Sequence, residues 1–195
     1  MSSRFALAVA AATAALTVVT HAAGRPSFPS VPVEIAVPDG VRPFFVAHAA
    51  GTQNYICAPA ATASGLDWLA IGPQATGFDG EGDQVLTHYQ SKNPFQNGAL
   101  HATWQHSRDT SAVWAAKLAG SSDPAYVAAG AVEWLLLAVT GAQAGPSGGN
   151  RLSGARYIQR VNTAGGVKPP ASDCTAATLN TRRLVDYTAD YYFFR

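Results

Sequence analysis

The sequence predicts an all-β protein, a single-domain antiparallel sandwich or barrel with at most one short helix. Two observations predict the class, and a third the compartment and the covalent tie. From Val185 the residues alternate strictly, Val185, Tyr187, Ala189 and Tyr191 against Asp186, Thr188 and Asp190, the period of two of a half-buried strand. From Val41 onward, short apolar runs are broken every few residues by Gly, Pro, Asn and Asp, the punctuation of strands and turns. The chain carries only two cysteines, Cys57 and Cys174, far apart behind an export-like N-terminus, as expected of an exported domain tied once across its length.

Residues 1–23 read as a secretory signal: Arg4 supplies the positive start, Phe5 to Val19 the apolar run, and Thr20-His21-Ala22-Ala23 the small residues for cleavage. The run is short for a membrane span, which needs about 20 apolar residues. The expected location is therefore secreted or periplasmic, with no membrane association after cleavage. In an oxidising compartment two cysteines allow one pairing, Cys57 with Cys174; two buried free thiols or one reactive thiol are the alternatives. Closing a loop of roughly 120 residues would stabilise the fold by at most about 5 kcal/mol. Neither cysteine has a second cysteine or a histidine at zinc-ligand spacing.

Residues 24–40, with Pro26, Pro29, Pro32 and Pro38, cannot hold a helix and read as an extended arm leading into a single β-rich domain over 41–195. Phe44 to Ala47 and Gln53 to Cys57 are two apolar runs joined through Ala50-Gly51. Ala99 to Gln105 and Ser111 to Lys117 are the arms of a hairpin around Ser107-Arg108-Asp109-Thr110. Over 126–139, Asp123-Pro124 favours a helix start, whereas Trp134-Leu135-Leu136-Leu137 suits a buried strand equally well. The reading is a short helix or turn passing into a strand. Gly145 to Gly154 is expected to be a flexible loop. Arg156 to Thr163 alternates, with Tyr157, Gln159 and Val161 opposed to Ile158, Arg160 and Asn162. At the end, Tyr192, Phe193 and Phe194 make both faces of the last strand aromatic, so it is expected to be buried on both sides.

Loss of Arg4 with the signal leaves 12 Lys and Arg against 12 Asp and Glu. This balance removes the usual reason to expect nucleic acid or an anionic membrane as partner, since both need a clustered basic excess. No nucleophile elbow, dinucleotide fingerprint or phosphate loop is present.

Trp134-Leu135-Leu136-Leu137, then Tyr157-Ile158-Gln159-Arg160-Val161-Asn162-Thr163 with Gly165-Gly166 and Pro169, then Cys174, then Tyr187-Thr188-Ala189-Asp190-Tyr191-Tyr192-Phe193, form a pattern. It resembles a family of secreted bacterial and fungal proteins known only as a domain of unknown function. Gly51-Thr52-Gln53-Asn54-Tyr55-Ile56-Cys57 and Trp68 resemble its N-terminal half. The resemblance implies a compact β-rich domain and no established activity. The family runs from a Gly-x-His through a Gly-Pro-x-Trp to an Asp-Gly-Ser turn. Here the counterparts are His88, Trp104 and Asp109-Thr110-Ser111, with a longer stretch between them that lacks the Gly-Pro step.

Four histidines follow the signal: His48, His88, His101 and His106. His101 and His106, five apart, face opposite sides of a strand, whereas His88 and His101 on neighbouring strands could share a metal ion; polar-loop or core histidines are the plainer reading. Asp79-Gly80-Glu81-Gly82-Asp83 starts like a calcium loop but has Gln84 and Gln90 where Gly and Glu are needed, so it reads as an acidic turn. Trp68, Trp104, Trp114 and Trp134 serve either a sugar-binding face or a core. A Ser-His-Asp site assembled from distant positions would be sought first at the histidines and Asp109.

The expected function is binding of a small molecule, glycan or partner, without cofactor or metal, through loops near His88 and Trp104, with His88, His101, Trp104 and Asp109 as binding residues. A hydrolase or metal-dependent enzyme using His88, His101 or His106 is the first alternative, and a purely structural surface protein the second.

Overall fold

The computed structural model describes residues 28–195; the expected signal segment lies outside the described residues. The strands are β1 (Pro43–Pro59), β2 (Leu66–Phe78), β3 (Gln84–Lys92), β4 (Leu100–His106), β5 (Ala112–Ser121), β6 (Trp134–Gln143), β7 (Tyr157–Gly165) and β8 (Arg182–Phe194). Each pairs antiparallel with the next and β8 returns to β1, closing an eight-stranded barrel in simple up-and-down order. Helical structure among the described residues is limited to two 3-10 turns, Val33–Ile35 and Ala171–Asp173.

β1 is the strand that closes the barrel, pairing with β2 on one side and β8 on the other. The sequence suggested two runs hinged at Ala50-Gly51, yet β1 runs through without a break. Gly51 is no turn: a Cβ there would collide with the Gln74 carbonyl and with Ala75, so glycine lets β2 lie close against β1. The hairpin expected around residues 107–110 joins β4 to β5, and Asp79 to Asp83 turns β2 into β3, the Asp79 carboxylate accepting the Asp83 N–H at 2.9 Å. The open segment 126–139 resolves, without a helix, as turns up to residue 130, an isolated bridge from Ala131 to Gly166, and then β6.

Two cores explain the aromatic and leucine runs that are apolar all round. Ala47, Ala49, Leu86, Trp104, Val113, Leu135, Leu137, Ile158, Tyr187, Tyr191 and Phe193 fill the barrel interior. Trp134, Leu136, Val161, Tyr192 and Phe194 point outward, where Ile35 and Val127 cover them, with Val31, Val37 and Val41 packed alongside. The arm is thus a wall covering, fixed by the Gln159 Nε2 donor on the Ile35 carbonyl at 2.6 Å and by reciprocal Arg42–Arg195 backbone bonds. Away from the arm, the outer faces of β1, β7 and β8 carry a polar cluster: His48 Nδ1 lies 2.6 Å from Asp190 Oδ1, and Asn162 Nδ2 donates to Asp190 Oδ2 at 2.7 Å.

The lower end is closed by Tyr55, Trp68 and the disulfide Cys57–Cys174, whose Cα atoms are 5.3 Å apart across a separation of 117 residues. It ties β1 to the segment that leads into β8. Replacing both cysteines with alanine is expected to cost about 2–4 kcal/mol, read as a lower midpoint in denaturant. An unchanged midpoint would show that the bridge constrains nothing the barrel does not already hold.

Candidate functional site

Two places gather chemistry: the middle of the barrel and its mouth. In the middle, His88 and Trp104 are directly opposed across the β3–β4 ladder, both facing inward. Their rings stack at 4.1 Å with planes 11° apart, and Tyr191 meets both edge-on at 4.9 and 5.3 Å. His88 Nδ1 lies 2.8 Å from the Thr103 carbonyl, which makes Nδ1 the protonated nitrogen and leaves Nε2 as an acceptor. Burial drives the His88 pKa down to about 3; the Thr103 bond opposes this and the Arg160 cation reinforces it.

Arg160 enters the interior from β7 on the same rung as Leu135 and Tyr191. Its Nε and Nη2 donate to the Glu133 carbonyl at 3.2 and 2.9 Å. Gln53, Pro73, His88, Ala102, Trp104, Leu135, Leu137, Arg160 and Tyr191 surround a cavity of about 80 Å3. Tyr187 and Tyr191 hydroxyls lie 3.3 Å apart, and burial raises both phenols' pKa values, with Arg160 pulling the other way.

At the mouth, the β4–β5 turn brings His106, Asp109 and Ser111 together. Ser111 Oγ donates to Asp109 Oδ1 at 2.7 Å, and the N–H groups of Ser111 and Arg151 donate to the same carboxylate at 3.0 and 2.7 Å. Burial opposes ionisation of Asp109, but these bonds, with the nearby His106, outweigh it and hold the carboxyl at about 2. His106 Nδ1 lies 3.2 Å from the Asp109 amide and 3.0 Å from its Oδ1. The neutral ring therefore accepts from the amide, and the protonated ring donates to the carboxylate.

The order of bonds is serine to aspartate to histidine. The Ser111 hydroxyl gives its proton to the carboxylate and accepts the Leu152 N–H at 3.0 Å, so no imidazole is placed to activate it. What Asp109 does instead is hold the 144–156 segment. Its part from Gly145 to Gly154 reads as flexible in the sequence, but Gly149 packs where a Cβ would run into Asp109, and Leu152, fully buried, plugs the mouth. Above the plug lies a pocket of about 450 Å3 bounded by Phe44, Phe45, Val85 and Tyr192, with Arg108 and Arg151 on its rim and His106 in its wall. The Arg151 guanidinium sits 5.5 Å above the Phe45 ring.

Of the residues singled out in the sequence, His88 and Trp104 meet inside the barrel, on strands and not on loops. Asp109 stands apart from them at the mouth. His101 pairs with Ser91 on the outer face, so the barrel wall separates it from His88. Among the described residues, no group of three or more His, Cys, Asp or Glu side chains gathers as a metal site. The four tryptophans lie in four places: Trp104 inside, Trp68 at the disulfide end, Trp134 under the arm, and Trp114 on the wall, donating to Ser91 Oγ at 2.8 Å. Sequence reasoning missed Arg160, Gln53 and Arg151. The available signal was Arg160 itself, a charge on the same face as Ile158.

Residues 38–195 match the family described as Protein of unknown function (DUF3455). The chain belongs to this family. The match spans the whole barrel, in keeping with a resemblance carried by motifs in β1, β6, β7 and β8 alike. No curated protein and no solved structure matches the chain.

Proposed function

We propose that this is an exported binding protein that takes a small molecule with an apolar body and a negatively charged group at the barrel mouth. The observation that carries the reading is the pocket of about 450 Å3: four aromatic or aliphatic walls, Phe44, Phe45, Val85 and Tyr192, beneath two guanidiniums, with one acidic residue, Asp79, whose carboxylate is engaged by the Glu81 and Asp83 N–H groups. That size and that balance of apolar wall to few polar groups suit a small ligand. Arg108 shares its charge with Asp83 at 3.1 Å on the surface, whereas Arg151 is held by the Phe45 ring face and is free to pair with a carboxylate in two-pronged fashion. Export is supported by the apolar N-terminal run and by the disulfide. No helix among the described residues is long and apolar enough to cross a membrane.

Calorimetric titration with aromatic and medium-chain carboxylates, each beside its neutral amide, tests this. Carboxylates should bind saturably and amides at least about tenfold more weakly, a difference of about 1.4 kcal/mol. Arg151→Met should erase the preference while leaving the loop in place, because the bond to Asp109 comes from the Arg151 backbone. Equal binding of acid and amide, or an unaltered preference in the variant, would refute the assignment of this pocket.

A further inference from the structure

We infer that the barrel interior holds a small planar oxyanion, of carboxylate or nitrate type, between the Arg160 guanidinium, Trp104 Nε1 and Gln53 Nε2. This site is separate from the mouth pocket and does not rest on it. The starting point is a charge without a counter-charge. Five ion pairs occur among the described residues, and Arg160 is in none of them. A guanidinium carries five N–H donors. Its Nε and one Nη2 N–H donate to the Glu133 carbonyl and its side chain also reaches the Tyr191 hydroxyl, so every partner it has is neutral.

The second observation is independent of Arg160. Trp104, 1% exposed, has its indole N–H buried with no hydrogen-bond partner among the described residues, and the buried Gln53 amide nitrogen has none of good geometry, its side chain reaching only the Tyr187 hydroxyl. An orphaned buried donor is costly, and native proteins leave few of them. Here two line the same cavity as Arg160. The inventory around this space is thus rich in donors and carries one positive charge. Water can accept from the orphaned N–H groups but brings no charge to balance the partly buried guanidinium, whereas an anion does both.

Size and shape narrow the class. A cavity of about 80 Å3 admits a group of a few heavy atoms and excludes a sugar ring or a long chain. The flat fork of a guanidinium matches a planar oxyanion edge-on with two parallel bonds. Formate, bicarbonate and nitrate meet both conditions.

The indole N–H resonances of the folded, disulfide-bonded protein provide the test, because the fold supplies its own controls. Trp68 and Trp134 also have buried, unpartnered indole N–H groups, but they lie outside this cavity. Titration with sodium formate and, separately, sodium nitrate should move the Trp104 signal saturably while those of Trp68 and Trp134 stay. Formamide, alike in size but uncharged, should leave all three unmoved. Movement with formate alone assigns a carboxylate site, and movement with both assigns a general oxyanion site. Arg160→Met should weaken the response at least about tenfold. A motionless Trp104 signal, an equal response to formamide, or an undiminished response in Arg160→Met would overturn the inference. Should the variant fail to fold, the comparison of formate with formamide on the parent protein still decides.

Discussion

Deleting Tyr191–Arg195 is expected to abolish soluble folding. These residues finish β8, the strand that closes the barrel by pairing with β1 and β7 together. Tyr191 and Phe193 fill the interior, while Tyr192 and Phe194 anchor the outer core beneath the arm. Burying a large apolar side chain stabilises by about 1.5–3 kcal/mol, so the four aromatics together contribute on the order of 6–12 kcal/mol. That is comparable to the whole stability of an ordinary domain, about 5–15 kcal/mol. The deletion also removes the Arg42–Arg195 backbone pair that seats the arm, and it exposes the edges of β1 and β7 to other chains. Expression of residues 24–190 should therefore yield aggregated or degraded protein. A soluble product with the parent's melting temperature would show that β8 closes the barrel without its last turn of aromatics.

The same strand shows why part of this fold was legible in the sequence. In β8 alternation and composition agree, and the double aromatic ending correctly implied burial on both faces. What alternation cannot separate is a sandwich from a barrel, because both put every second residue inward. Closure depends on β1 being long enough to pair along two neighbours, and Ala50-Gly51 disguised that length as a break. β2 was hidden for a related reason: Gly72-Pro73 punctuates it locally, yet in three dimensions it marks the register shift opposite Asn54 and Tyr55. The candidate site was less legible. His88 and Trp104 were picked as a pair from their chemistry and do meet, but the wall of the barrel, invisible in a linear sequence, puts His101 on its far side. Asp109 drew notice as a triad member, and the contacts make it a clamp on the 144–156 segment. Arg151 escaped notice because it lies in a glycine-rich stretch whose order depends on that distant clamp.

The His88 imidazole should give the protein an acid sensitivity that sets in well above the range where carboxylates titrate. Its folded-state pKa is lowered to about 3 from an ordinary 6.5, first by burial and further by the Arg160 cation. Between those two values the unfolded chain binds a proton that the native protein does not, so stability rises with pH across that window. The contribution is complete above 6.5 and is lost progressively as pH falls toward 3. Each unit corresponds to about 1.4 kcal/mol, so going from pH 6.5 to 4.5 should cost about 2–3 kcal/mol from this one residue. Asp109, lowered to about 2, acts in the same direction but only below its ordinary 3.8, outside the upper part of the window. Urea denaturation at pH 7, 6, 5 and 4.5 should trace this loss in the parent protein. In His88→Phe, which keeps an aromatic ring against Trp104 but cannot take a proton, the loss between pH 6.5 and 4.5 should largely vanish, whatever the variant's stability at pH 7. An equal slope in the two proteins would mean that the imidazole is charged or solvated inside the barrel, and its stacked, buried position on Trp104 would then not describe the molecule in solution.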